Sequence, residues 1–114
     1  MFVISGYDMV LYSVKAKYIE EKLDEFYQKL IDGTIQNQKP DGPEIVNSMK
    51  RAKITAPKTI QWSEMCFCST PLQHEQTIVY DHYLTNFETT VIDDYVEFDG
   101  ESFFTFLQRD SKKM

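Results

Sequence analysis

Several things are scarce in this chain. Its 114 residues include two cysteines, four glycines, four prolines and one tryptophan. No apolar run approaches the roughly 20 residues that a membrane-spanning helix needs, so no membrane role is expected. The opening Met1-Phe-Val-Ile-Ser-Gly-Tyr-Asp8 has neither the basic n-region nor the long apolar stretch of a secretory signal, which makes the cytoplasm the expected compartment. The glycines are scattered and form no phosphate-cradling loop, and there is no G-x-S-x-G nucleophile elbow. The most informative absence is cationic. Thr59 to Gln108, fifty residues, contains no Lys or Arg.

What that stretch does contain is nine carboxylates: Glu64, Glu75, Asp81, Glu88, Asp93, Asp94, Glu97, Asp99 and Glu101. It also holds ten of the sixteen aromatics, both histidines and both cysteines. Residues 1 to 57 balance eight basic against eight acidic side chains, so the net charge of −6 lies entirely in residues 58 to 114. Such a surface repels nucleic-acid phosphates and anionic lipid, and it suits a basic protein partner. At this length the chain is one domain, residues 1 to 114, with the polar tail 109–114 expected to fray.

Periodicity sets the expected elements. Phe2 to Tyr12 is rich in β-formers, with Gly6-Tyr7-Asp8 as a bulge or turn. From a Ser13 N-cap, Val14, Tyr18, Ile19, Leu23, Phe26, Tyr27, Leu30 and Ile31 predict one long amphipathic helix ended by Gly33. Thr34 to Gly42 is a surface loop, and Pro43 opens a short helix carrying Ile45, Val46 and Met49 inward. Lys50, Arg51, Lys53 and Lys58 form the one basic patch, read as solvated charges near a helix end or as a contact for the acidic half of a second copy. Strands are expected over Thr59–Cys68, Thr77–Thr85 and Phe87–Phe98, with Asp99-Gly100 as a two-residue turn into a last strand, Glu101–Gln108. The competing reading of that last segment is a helix capped by Asp99, with Phe103, Phe104, Phe106 and Leu107 as its stripe. The expected class is therefore α+β: one long amphipathic helix and a short helix packed on a curved, mainly antiparallel sheet of four to five strands.

The predicted hairpin pairs Val96 with Phe103, Tyr95 with Phe104 and Asp94 with Thr105. One sheet face would then mix carboxylates with aromatics, a composition suited to recognition. Asp93, Asp94, Tyr95, Glu97, Asp99, Glu101 and Phe104 are the candidate partner-binding residues, in a small acidic protein of the binding or inhibitor type. One alternative is a homodimer buried on that aromatic sheet face. A second is a small enzyme or metal protein. Asp81 and His82 with Asp93 and Asp94 could exchange protons, but neighbours on a strand face opposite sides, which splits the set. Cys66, Cys68, His74 and His82 are metal-ligand types in a C-x-C-x5-H-x7-H spacing that fits no standard zinc pattern. The two cysteines are expected as reduced thiols, because a disulfide across one residue is strained. No catalytic residue, metal or cofactor is assigned.

Overall fold

The structure, a computed structural model, describes residues 10–38, 42–66, 72 and 75–110. It is an α+β domain with five strands in one antiparallel sheet. In chain order these are β1 (Val10–Tyr18), α1 (Leu23–Ile31, entered through a 3-10 turn at Glu20–Lys22), α2 (Gly42–Arg51), β2 (Lys53–Ala56) and β3 (Thr59–Cys66). Then come α3 (a π-helical turn, Gln76–Tyr80, running into Asp81–Tyr83), β4 (Leu84–Ile92), β5 (Glu101–Ser102) and α4 (Phe103–Asp110). The order across the sheet is β4-β1-β3-β2-β5. Among the described residues no helix is long and apolar enough to cross a membrane.

The sheet has two unlike faces, and the sequence of β1 shows why. Tyr12, Val14 and Ala16 are buried, while Lys15 and Lys17, at the alternate positions, are exposed. That is the period of two that a half-buried strand requires. In β3 the matching set is Ile60, Trp62, Glu64 and Cys66, and it lies beside β1 with Ala16 opposite Ile60 and Val14 opposite Trp62. Leu23, Phe26 and Leu30 of α1, Ile45, Val46 and Met49 of α2, and Phe103 and Leu107 of α4 complete the core. Phe26 lies flat against Tyr83 at 4.5 Å and tilts toward Phe103 at 6.2 Å. Fully burying a side chain such as Phe26 or Phe103 contributes about 2–3 kcal/mol each.

Five expectations change. The long helix from Ser13 does not form: residues through Tyr18 are strand, and α1 is nine residues long. Val14 and Tyr18 are four apart, a spacing that serves a helix face and a strand face equally. Two neighbouring strands, β3 and β4, decide it by pairing with β1 along almost its whole length. Thr77–Thr85 is not a strand, because α3 occupies 76–83 and buries Val79, Tyr80 and Tyr83 at helical spacing. The expected strand Phe87–Phe98 is present only over 87–92, within β4, which begins earlier at Leu84 and ends at Ile92. Asp99-Gly100 makes no hairpin: β5 pairs with β2, and the aromatics after it form α4, the competing reading. The sheet is not strongly curled either.

The expected strand Thr59–Cys68 is present as far as Cys66, and the short helix opening near Pro43 is α2. Gly33 follows the end of α1 with φ of 93°, as a C′ residue does. Residues 2–9 with the Gly6-Tyr7-Asp8 turn, Cys68, His74 and most of the expected fraying tail lie outside the described residues.

Candidate functional site: an acidic strap and a buried carboxyl cluster

β4 and β5 sit at opposite edges of the sheet, so residues 93–100 must carry the chain from one edge to the other. They do so over the face that the helices leave uncovered. Ser63 shows this directly: it points away from the core that Trp62, its neighbour in β3, enters. The Ser63 hydroxyl donates to the Val96 carbonyl and accepts from the Val96 N–H, both at 2.9 Å. Arg51 forms a second anchor. Its Nη2 donates to the Ser63 carbonyl (2.7 Å), Glu44 Oε2 (3.0 Å) and Ser48 Oγ (3.1 Å), and its guanidinium lies 5.0 Å from the centre of the Tyr95 ring. Gly100 is the third. A Cβ there would stand 2.1 Å from the Ile54 carbonyl oxygen, so only glycine allows the strap to press onto β2.

The strap's outer surface is acidic and partly apolar. Asp93, Asp94, Glu97 and Asp99 are exposed, and Tyr95 and Val96 are each 45% exposed. Asp94 caps its own neighbour, accepting from the Tyr95 N–H at 2.8 Å. Glu101 stands at the strap's end in β5 and pairs with Arg109 of α4. Of the seven expected site residues, six therefore lie along one segment. They lie on a strap crossing the sheet rather than on a sheet face. Phe104 is separated from them: it packs edge-on against Tyr27 of α1 at 5.7 Å, below the Lys50 ammonium. Sequence reading missed Ser63 and Arg51, the residues that hold the strap. Arg51 looked like one more solvated cation, and a serine at an outward strand position carries no signal by itself.

The second constellation lies inside the core. Glu64 is fully buried in β3 and accepts from Trp62 Nε1 and from the Tyr80 hydroxyl, both at 2.7 Å on Oε1. Its Oε2 has no hydrogen-bond partner among the described residues. Burial pushes the Glu64 carboxyl up to about 8, against the two hydrogen bonds that lower it, and Glu75 and Glu44 push the same way. At neutral pH Glu64 is a neutral acid. Glu75, 1% exposed, lies with Oε1 3.9 Å from the Cys66 thiol. Burial and the adjacent Glu64 also raise Tyr80, which stays a donor. These contacts dock the π-turn of α3 onto β3.

The sites weighed for catalysis and metal are not assembled. Asp81 and His82 are exposed on α3 at the start of β4, whereas Asp93 and Asp94 follow its far end, nine strand residues away. Among the described residues no group of three or more His, Cys, Asp and Glu could hold a metal ion. Cys66 is a buried thiol. No family model, curated protein or solved structure matches the chain.

Proposed function

We propose that the strap 93–100, with Glu101 at its end, is a docking surface for a basic protein partner, and that the chain is a small binding or inhibitor-type protein. One observation carries this reading. Tyr95 and Val96 stand half out of the surface amid Asp93, Asp94, Glu97 and Asp99, while the backbone beneath them is pinned by Ser63. An aromatic anchor ringed by charge on a held backbone is the composition that interface energetics favour, since little entropy is lost on ordering it. The carboxylates steer a cationic partner and the apolar pair fixes it.

A homodimer built on an aromatic sheet face needs strands there, and residues 103–110 form α4 instead, with Phe103 and Leu107 in the core. The test of the docking reading is affinity capture with wild type and with an Asp94→Lys/Glu97→Lys double variant, followed by association rates against salt. A basic partner bound fast at low salt, slower at high salt and about tenfold or more slower with the variant is the expected result. Association that ignores the charge reversal would remove the reading.

A further inference from the structure

β4 is a sheet edge. β1 pairs along one side of it, and among the described residues no strand pairs along the other. Proteins usually blunt such an edge with charge, lysine above all, or with proline, a bulge or extreme shortness. β4, Leu-Thr-Asn-Phe-Glu-Thr-Thr-Val-Ile, has nine residues and no lysine or proline, and its protection is limited to Glu88 and an irregularity near its start. A left-handed Asn86 (φ 54°) marks a register shift near its start, and beyond it Phe87 to Ile92 runs on to the end of the strand. Val91 there is 66% exposed, the largest exposure among the exposed large hydrophobics of the described residues.

We propose that the outer edge of β4 pairs antiparallel with β4 of a second copy about a two-fold axis at Thr89, making one ten-stranded sheet. Three observations select a second copy as the occupant. First, centring on Thr89 puts Phe87 opposite the partner's Val91 on the helix-covered side, an aromatic and β-branched pair that covers the exposed valine. Second, the same register puts Glu88 opposite the partner's Thr90, so the strand's one carboxylate never meets itself. Third, the two ends of β4 differ in charge. Lys15 and Lys17 of β1 flank its first half, while Asp93 and Asp94 follow its last residue. Antiparallel pairing lays the acidic end of each copy beside the lysine end of the other. Asp81, exposed just before β4, Glu88, level with Lys15, and Glu20, 2.7 Å from Lys58, are carboxylates that moderate the lysine end. Such pairing is isologous, and the interface is a single strand, so the dimer is a weak one. It uses the edge of the sheet and leaves Tyr95, Val96 and Glu97 outward for another protein.

Position 90 tests the register because it is exposed and the two charge signs predict opposite results. Sedimentation equilibrium of the full chain from micromolar to sub-millimolar concentration should show a monomer–dimer equilibrium that weakens with salt. Thr90→Glu faces Glu88 of the partner twice and should weaken the dimer roughly tenfold, while Thr90→Lys should hold or tighten it. Thermal melts confirm that both variants fold. A monomer at every concentration, whether the edge stays idle or takes a strand from another protein, overturns the proposal. So does a dimer indifferent to the sign of the charge at position 90.

Discussion

Two groups of carboxylates divide this molecule. Glu64 and Glu75 are sealed in the core, while Asp93, Asp94, Glu97 and Asp99 ride on the outside of the strap. The residue types are almost the same, and the chemistry is opposite. Water solvates the strap's charges, which act at a distance on whatever approaches. Burial denies charge to Glu64, which becomes a hydrogen-bonded neutral group between Trp62 and Tyr80. Acidic composition therefore carries two separable meanings, one for the charge of the outer surface and one for the integrity of the core. Charge counting alone merges them.

The sharpest way to separate the two groups is pH. Glu64 has a folded pKa near 8, raised above its ordinary value of 4.5. The unfolded chain gives up that proton first, so stability from this group is whole below about pH 4.5 and drains as pH rises through 8. The full swing is on the order of 4–5 kcal/mol. Urea melts of wild type between pH 5 and 8.5 should show that loss, and Glu64→Gln, which cannot ionise, should largely flatten it. A wild-type slope that the glutamine variant keeps would mean that another buried group titrates.

Next in size is Gly100→Ala. The new methyl meets the Ile54 carbonyl at the point where the strap lands on β2, and the cost should be about 2–3 kcal/mol in thermal or urea unfolding. Tyr80→Phe removes one of the two bonds to Glu64 Oε1 and should cost about 1–2 kcal/mol, with the Glu64 titration moving further up. Ser63→Ala acts on the outside. It should cost about 1 kcal/mol, yet the Val96 amide should exchange much faster, because the hydroxyl is its partner. Smallest for stability is the strap's own charge: Asp94→Lys with Glu97→Lys should move the melting point very little while changing association most. If instead the double reversal destabilised the fold strongly, the strap would belong to the core's energetics and the division would fail.

Much of the frame was readable from local pattern. The β3 strand is rich in β-formers, Pro43 opens α2, and Gly33 follows α1. The concentration of carboxylates in the second half points to residues 93–101 as the acidic segment, but the hairpin face expected to carry them does not form. What failed depended on partners far away in sequence. The β1 residues between Ser13 and Tyr18 carry a spacing that suits either period, and pairing with residues 59–66 and 84–92 settles it. Tyr80 alternates with Ile78 and His82 like a strand residue, but its hydroxyl ends on Glu64, sixteen positions back, in a helical turn. Gly100 looked like the second half of a turn. Its freedom is used to pass close to Ile54, a need no local reading contains. Glu64 gave no signal either, since nothing beside it in the chain marks a carboxylate for burial.

Among the described contacts the strap touches the rest of the fold at Ser63, Arg51 and Ile54, and the outward residues between those points take no part in the core. Variation at Asp93, Asp94, Glu97 and Asp99 is thus decoupled from folding. A lineage carrying this domain can change the charge and shape of the strap's outer surface, one side chain at a time, and inherit the scaffold unchanged.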